Sequence, residues 1–322
     1  MFFKKPTWSQ ILNRCNTIVM IISLLSLAAV LFMDCSRKTD VSQNAQTDIP
    51  QKIVSLSPAS TEILFAVGAE SQIAAVSQFT DYPPEATKLP VVGGFDGKTL
   101  SIEKILSFNP DFVYMTNGMH NFLIDQLNQY GIKYYLSTAN SVADVKNEII
   151  EIGKITGHEE NAREVIDKIE KTISECTEKA QKASAVVAAV NTSTTDKITT
   201  TDNSHSEISV YYEVWNSPYM SAGKTSFIND IITIAGGKNI FDDIDSPYPI
   251  VSEETIILRQ PQVIFVPATA GITVDSVATR IGWENLPAVK NKKIFVIDDN
   301  LITRPGARIG ESVKTIYNYI NQ

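Results

Sequence analysis

The feature that most constrains this chain is that it says one thing twice. Residues 101–115 read SIEKILSFNPDFVYM and residues 252–266 read SEETIILRQPQVIFV. Glu254 follows Glu103 by 151 residues, and Pro261 follows Pro110 by the same 151. Ile105 meets Ile256, Leu106 meets Ile257 and Val113 meets Ile264 in the same register. Each copy predicts a short helix with an exposed Glu, a proline-marked turn and a buried apolar strand. Solenoid units recur every ~20–50 residues, so a repeat this long instead predicts two similar α/β lobes. At 322 residues, and roughly 100–200 per domain, two lobes fit the length.

The chemistry of the composition is restrictive. The formal net charge of −8 disfavours nucleic acid, which needs a basic face. Only three cysteines occur, without a CxxC pair, so neither a zinc cage nor a disulfide framework is expected. His120, His158 and His205 lie far apart and read as surface or turn residues rather than a metal site. Gly223-Lys224-Thr225 invites a phosphate-loop reading, but Pro218 stands where that motif needs its first glycine. No other nucleophile, metalloprotease or dinucleotide motif is present, so no residue is assigned a catalytic role.

The N-terminus reads as an export signal over residues 1–35. Lys4, Lys5 and Arg14 precede the apolar run 18–33. Cys35 directly follows and resembles the lipid-attachment cysteine of bacterial lipoproteins, although Phe32 and Asp34 depart from that motif. An uncleaved membrane anchor and cleavage further on are the alternatives. Residues 36–51 are polar and read as a flexible tether.

From there strands and helices alternate, which predicts a parallel-sheet first lobe over 52–158. A strand at 53–56 leads to a helix at 62–67, capped by Ser60 or Thr61, with Pro58 fixing the turn before it. Residues 159–185 predict one long polar helix whose narrow apolar face holds Ile166, Ile169, Ile173, Cys176, Ala180 and Ala183. It reads as a solvent-bridging linker between lobes. Residues 191–206 are low-complexity Thr/Ser/Asp/Asn and read as a surface loop within a second lobe spanning 186–322. In that lobe a strand at 208–214 precedes a turn at Trp215, Ser226 caps a helix, and residues 298–308 form a loop carrying Arg304 and Arg308.

Phe79, Tyr82, Phe95, Trp215, Tyr219 and Tyr248 all fall in loops that end or follow predicted strands. In open α/β sheets such loops face the ligand crevice. Aromatic side chains there suit a bulky, partly flat ligand, and Arg304 could meet its anionic or amide edge. The repeated glutamates are expected on the outer surfaces of the lobes. A two-lobed enzyme acting on a chelate-like substrate and a ligand-binding sensor of the same fold remain alternatives.

At these residues the chain resembles the helical-backbone substrate-binding proteins of ABC importers for cobalamin and iron–siderophore complexes, most closely the cobalamin branch. The stretches LSPASTE, VSQFTDYPPEA, SIEKILSFNPD, YEVWNSPYMSAGKTSFINDIITIAGGKNIF and YPIVSEETIILRQPQ carry the resemblance in this order. It implies two α/β lobes joined by one rigid helix, with the ligand in the cleft between them and small lobe motion. Pro58, Phe79, Phe95, Trp215, Tyr248 and Arg304 fall at cleft-lining positions. Phe79, Phe95 and Tyr248 stand where the cobalamin proteins often carry Tyr, Trp and Trp. The resemblance further implies that Glu103 and Glu254 dock on arginines of a permease dimer, served by its ATPase. No cofactor or metal site of its own is implied; the ligand would be cobalamin or an iron complex. The expected location is extracytoplasmic, at the periplasm or cell surface, with a lipid anchor to the membrane.

Overall fold

The computed structural model describes residues 49–191 and 208–322. The export segment, Cys35, most of the tether, His205 and the polar run 192–206 lie outside the described residues, as do the side chains of Ala180 and Ala183. Among the described residues no helix is long and apolar enough to cross a membrane.

The first lobe is a five-stranded sheet of β1 (Ile53–Ser55), β2 (Ile73–Ser77), β3 (Val91–Gly93), β4 (Phe112–Thr116) and β5 (Lys133–Ser137). The order is β3-β2-β1-β4-β5 and every pairing is parallel. Parallel strands are covered on both faces, which explains why β1 and most of β4 are fully buried and, Ser55 apart, apolar. The strand order reverses at the β1/β4 boundary. In this topology a ligand crevice opens outside the carboxyl ends of the strands at that point.

Helix α1 spans Pro58–Ala66 and starts earlier than the sequence pattern suggested. Its N-cap is Ser57, not Ser60 or Thr61, and the Ser57 hydroxyl accepts from the Ser60 amide at 3.1 Å. The fixed φ of Pro58 suits the first helical position, so this proline opens the helix rather than the turn before it. Helix α2 (Ile102–Leu106), the first copy of the repeat, is capped by Ser101. Helices α3 (Ile124–Gln129) and α4 (Val142–Thr156) complete the lobe, and Gly157 closes α4 in the left-handed conformation at φ 78°.

Helix α5 (Glu159–Asn191) is one continuous element of 33 residues, roughly 50 Å long. It does not cross solvent, contrary to the sequence reading. Ile169 and Cys176 are buried, and Ile166 and Ile173 pack on the same core. The helix lies along α4 on one side and along the C-terminal helix α11 (Ile309–Ile320) on the other. A Cβ at Gly310 would sit 3.3 Å from the Ile169 Cα, so α5 and α11 approach closely at that glycine. One apolar cluster therefore runs from Ile53 and Phe112 through Ile169 and Cys176 to Val210 and Val313, joining both lobes. Each lobe keeps a separate outer core on the far side of its sheet.

The second lobe contains β6 (Ile208–Asn216), β7 (Tyr219–Ser221), β8 (Gly237–Asn239), β9 (Val263–Pro267) and β10 (Ile294–Ile297). Its order is β10-β9-β6-β7, with β8 paired to β6. The β6–β7 pair is antiparallel, so this sheet is not purely parallel. Consequently Trp215 ends a strand and Tyr219 begins one, where the sequence suggested loops. Around the sheet lie α6 (Phe227–Ile234), capped by Ser226, and α7 (Glu253–Arg259), the second copy of the repeat, capped by Ser252. Short helices α8 (Val274–Ala278), α9 (Pro287–Lys290) and α10 (Asp299–Thr303) follow. The segment expected to be a loop over 298–308 thus holds a helical turn, because Asp298 caps it through the Asn300 amide at 3.1 Å.

Candidate ligand-binding cleft

The crevice predicted by the topology is present. A cavity of about 330 Å³ lies at the carboxyl ends of β1, β4 and β5 and is closed on its far side by Thr303–Pro305 of the second lobe. Its first-lobe wall is the cap and start of α1 (Ser57 to Ser60), Thr116 at the end of β4 with Asn117 and Met119 after it, and Ser137 at the end of β5 with Thr138 to Asn140 after it. Of the residues the sequence proposed for the cleft, Pro58, Phe95 and Arg304 line this cavity. Phe79 does not line it, but its ring stacks on Phe95 with centroids 4.0 Å apart and planes 13° from parallel. Both rings remain more than a third exposed, so the pair presents a flat apolar surface to solvent.

Glycines set that surface. A Cβ on Gly93 would lie 2.3 Å from the Thr99 carbonyl, and one on Gly94 would lie 2.4 Å from the Thr99 hydroxyl. Only a backbone without side chains folds that tightly, and it holds Phe95 at the loop tip.

Trp215 and Tyr248 belong to the second lobe and do not line this cavity. Trp215 is 52% exposed at the end of β6 and its indole donates to the Ser217 carbonyl at 2.9 Å. Tyr248 is 42% exposed, and burial of the rest of its ring pushes its phenol upward. Strand β7 lies against both segments: Trp215 of β6 pairs with Met220, and the Ser221 amide donates to the Pro249 carbonyl at 3.1 Å.

The glycine-lysine-threonine stretch explains itself here. The Gly223 amide donates to the Pro247 carbonyl at 3.0 Å and the Lys224 amide to the Ile244 carbonyl at 2.9 Å. A Cβ on Gly223 would come within 2.1 Å of the Ser246 carbonyl. These amides, which a phosphate loop would turn to an anion, instead pin the loop that carries Tyr248.

Arg304 is not free to meet a ligand charge. Its Nη1 lies 2.5 Å from Asp81 Oδ1 and 3.3 Å from Glu62 Oε1, and Nη2 reaches Asp81 Oδ2 at 3.2 Å. Glu62, on α1, is almost fully buried and also accepts from Arg308 Nε at 2.8 Å and Nη2 at 2.7 Å. The Arg308 guanidinium sits 4.0 Å from the Tyr82 ring centroid. Two carboxylates of the first lobe thus hold two guanidiniums of the second at the edge of the cleft. The hydrogen bond from Arg304 holds the Asp81 carboxyl below its usual range, against a smaller opposing effect of burial. The sequence reading named Arg304 and Arg308 but missed Glu62 and Asp81. A Glu one turn into an apolar helix, in TEILFA, was the signal available for the first.

Two buried groups support the cavity floor. Ser137 donates to Glu148 Oε2 at 2.7 Å and the Tyr114 hydroxyl donates to Glu148 Oε1. Burial pushes the Glu148 carboxyl up. His120 is fully buried, not a surface residue, and its Nδ1 accepts from the Thr116 amide at 3.0 Å. Burial lowers it to about 4, so it is a neutral ring that fixes the turn after β4.

The repeated glutamates lie away from this cleft chemistry. Glu103 and Glu254 are exposed and occupy the second position of helices capped by Ser101 and Ser252. In each, the residue's own backbone amide and then the capping serine hold the carboxyl below its usual range. Both charges are therefore fixed in the same local frame on the two lobes. Among the described residues no group of three or more metal-ligating side chains converges.

Two α/β lobes, a long packed helix between them and a cleft at the switch point are the architecture of a solute-binding protein. Residues 53–301 match the model of the periplasmic binding proteins. The chain belongs to the periplasmic binding protein family. Among its relatives in that family, the vitamin B12-binding protein of Vibrio campbellii is 30% identical over 260 residues, covering 80% of this chain and 85% of that one. The uncharacterized ABC transporter substrate-binding lipoprotein YvrC of Bacillus subtilis is 28% identical over 272 residues, covering 83% and 79%. The crystal structure of a possible iron-binding, periplasmic solute-binding protein from Staphylococcus epidermidis superposes with a TM-score of 0.68 at 27% identity, over 85% of this chain and 99% of that one. All three are named for binding solutes, not for catalysis.

Proposed function

We propose that this chain captures a corrinoid outside the cytoplasmic membrane and delivers it, unchanged, to the permease of an ABC importer. The observation that carries the choice of ligand is the charge state of the cleft wall. The cavity is lined by hydroxyls (Ser57, Ser60, Thr116, Thr138, Thr303) and carboxamides (Asn117, Asn140), and its one cation, Arg304, is already paired by Asp81 and Glu62. Haem and many siderophores carry carboxylates or other anionic groups that need an unpaired cation when desolvated. The rim of a corrinoid is mostly primary amides, which such hydroxyls and carboxamides satisfy. The cavity holds one edge of such a ligand, and the Phe79–Phe95 pair, with Trp215 and Tyr248 beyond it, offers aromatic surface to the rest.

Titration of the protein by calorimetry against cyanocobalamin, dicyanocobinamide, haemin and a ferric siderophore tests this. Tight binding of the corrinoids and weak binding of the anionic complexes is expected. The reverse order would overturn it. The delivery step is carried by Glu103 and Glu254, two equally framed charges that suit two equivalent basic sites on a permease dimer. Charge reversal of both should abolish uptake while leaving affinity in solution intact. The relatives, one of them named a lipoprotein, support an anchor at Cys35; its substitution by Ser should release the protein from the membrane fraction.

A further inference from the structure

The two docking faces are built alike and finished differently. On α2 the exposed side carries Glu103 and, one turn on, Ser107. On α7 it carries Glu254 and, one turn on, Leu258. Leu258 is 81% exposed and Ile281 is 93% exposed. Ile281 belongs to a loop packed on α7: a Cβ at Gly282 would lie 3.1 Å from Ile257 Cδ1.

This exposure does not come from a loose loop. On one side of Ile281, Arg280 forks onto buried Glu213, with Nη1 at 2.5 Å and Nη2 at 2.8 Å. On the other side Trp283 is fully buried, and its indole donates to Glu253 Oε1 at 2.8 Å, beside Glu254. The Arg280 guanidinium also lies 4.6 Å from the Trp283 ring centroid. Two buried anchors thus hold a large aliphatic side chain out in water, in a loop packed on the helix that carries Leu258. The fold does not require this, because the equivalent helix of the first lobe does without it at Ser107.

We infer that Leu258 and Ile281 form, with Glu254, a mixed acidic and apolar docking patch for an extracytoplasmic loop of the permease that presents a cation flanked by aliphatic side chains. The inference rests on the docking reading of Glu254. Continuity with that residue, one turn away on the same helix, argues for the permease as occupant. A second copy of this chain fits poorly, since a twofold contact centred here would bring two Glu254 carboxylates together. The patch also breaks the pseudo-symmetry of the carrier: the second lobe adds an apolar contact at Leu258 that the first lobe, with Ser107 there, does not make. The two permease subunits are then gripped unequally.

The test uses the full chain and its permease–ATPase complex in nanodiscs, with affinity read by biolayer interferometry. Leu258→Ser and Ile281→Ser should each weaken the complex about tenfold, from the apolar area no longer buried. Ser107→Ala should leave it unchanged, and corrinoid affinity and thermal midpoint should hold in all three. If Leu258→Ser and Ile281→Ser bind like wild type while Glu254→Arg weakens, the patch is wrong and the docking glutamates stand. If Glu103→Arg and Glu254→Arg also bind like wild type, the docking reading falls and takes the patch with it. A dimer in sedimentation that Leu258→Ser dissolves would assign the patch to a second copy and overturn the inference.

Discussion

Replacing Glu62 by Gln should show how firmly the lobes are locked. The Glu62 side chain is 2% exposed and accepts three hydrogen bonds from Arg304 and Arg308 of the other lobe. Gln keeps the shape but removes the charge and turns an NH2 toward a guanidinium. Removing one partner of a buried ion pair costs about 3–5 kcal/mol, mostly because the other charge stays desolvated. Here the arginine side chains keep 12% and 14% of their surface in solvent, and Arg304 retains Asp81. The lower end, about 3 kcal/mol, is expected, or about 6 °C in Tm for a chain of this size. Equilibrium unfolding in urea measures it. Replacing Glu62 and Arg308 together by Met should recover most of the loss, since a well-packed apolar pair often matches a buried ion pair. A loss below about 1 kcal/mol for Glu62→Gln, or no recovery in the double variant, would refute the view that this cluster is a desolvated lock.

Three further outcomes follow from the same geometry. Asp81 has a folded pKa below its unfolded value, so its contribution is present above the unfolded pKa and lost as pH falls through the folded one; Asp81→Asn should flatten the acid limb of a stability profile below about pH 4, and an unchanged limb would contradict this. Phe95→Ala removes half of a stacked, exposed pair, so corrinoid affinity should fall by roughly tenfold or more while Tm shifts little; calorimetry and thermal melts read the two. Gly223→Ala sets a methyl against the Ser246 carbonyl, a backbone atom that cannot swing away, and should cost about 1–3 kcal/mol and displace the loop that carries Tyr248; fluorescence of a variant retaining only Trp215 would report that displacement.

Local features of the fold were legible. Serine caps, glycine stops and buried apolar runs sit within one or two turns of where the sequence placed them, because they depend on neighbours in the chain. The exceptions have local causes as well. Pro58 reads equally as a turn residue or a first helical residue, and Asp298 caps a helical turn too short to show periodicity. Less of the site was legible. The aromatic residues were chosen by type and loop position, and Phe95 does line the cavity. Trp215 and Tyr248 belong to the second lobe and do not line that cavity, so their part in the site rests on the proposed function, and Tyr219 is a strand residue packed near Trp283, with centroids 6.1 Å apart. Single residues do not reveal which way a loop leans.

By itself the sequence determined that this chain is duplicated, that its lobes are α/β, and that Glu103 and Glu254 occupy equivalent places on them. A periodic pattern and a constant offset carry that information directly. Only the tertiary structure decided what Arg304 does. Its partners are 242 and 223 residues away, and no spacing rule reaches across lobes. That pairing turns an apparent anion site into a neutral cleft wall. Tertiary structure also decided that the linker helix is packed rather than free, because burial of Ile169 and Cys176 depends on α11 folding back along it. And it packed the loop of Ile281 on α7, through Gly282 against Ile257, so that a second exposed aliphatic residue joins the helix of Glu254 and Leu258.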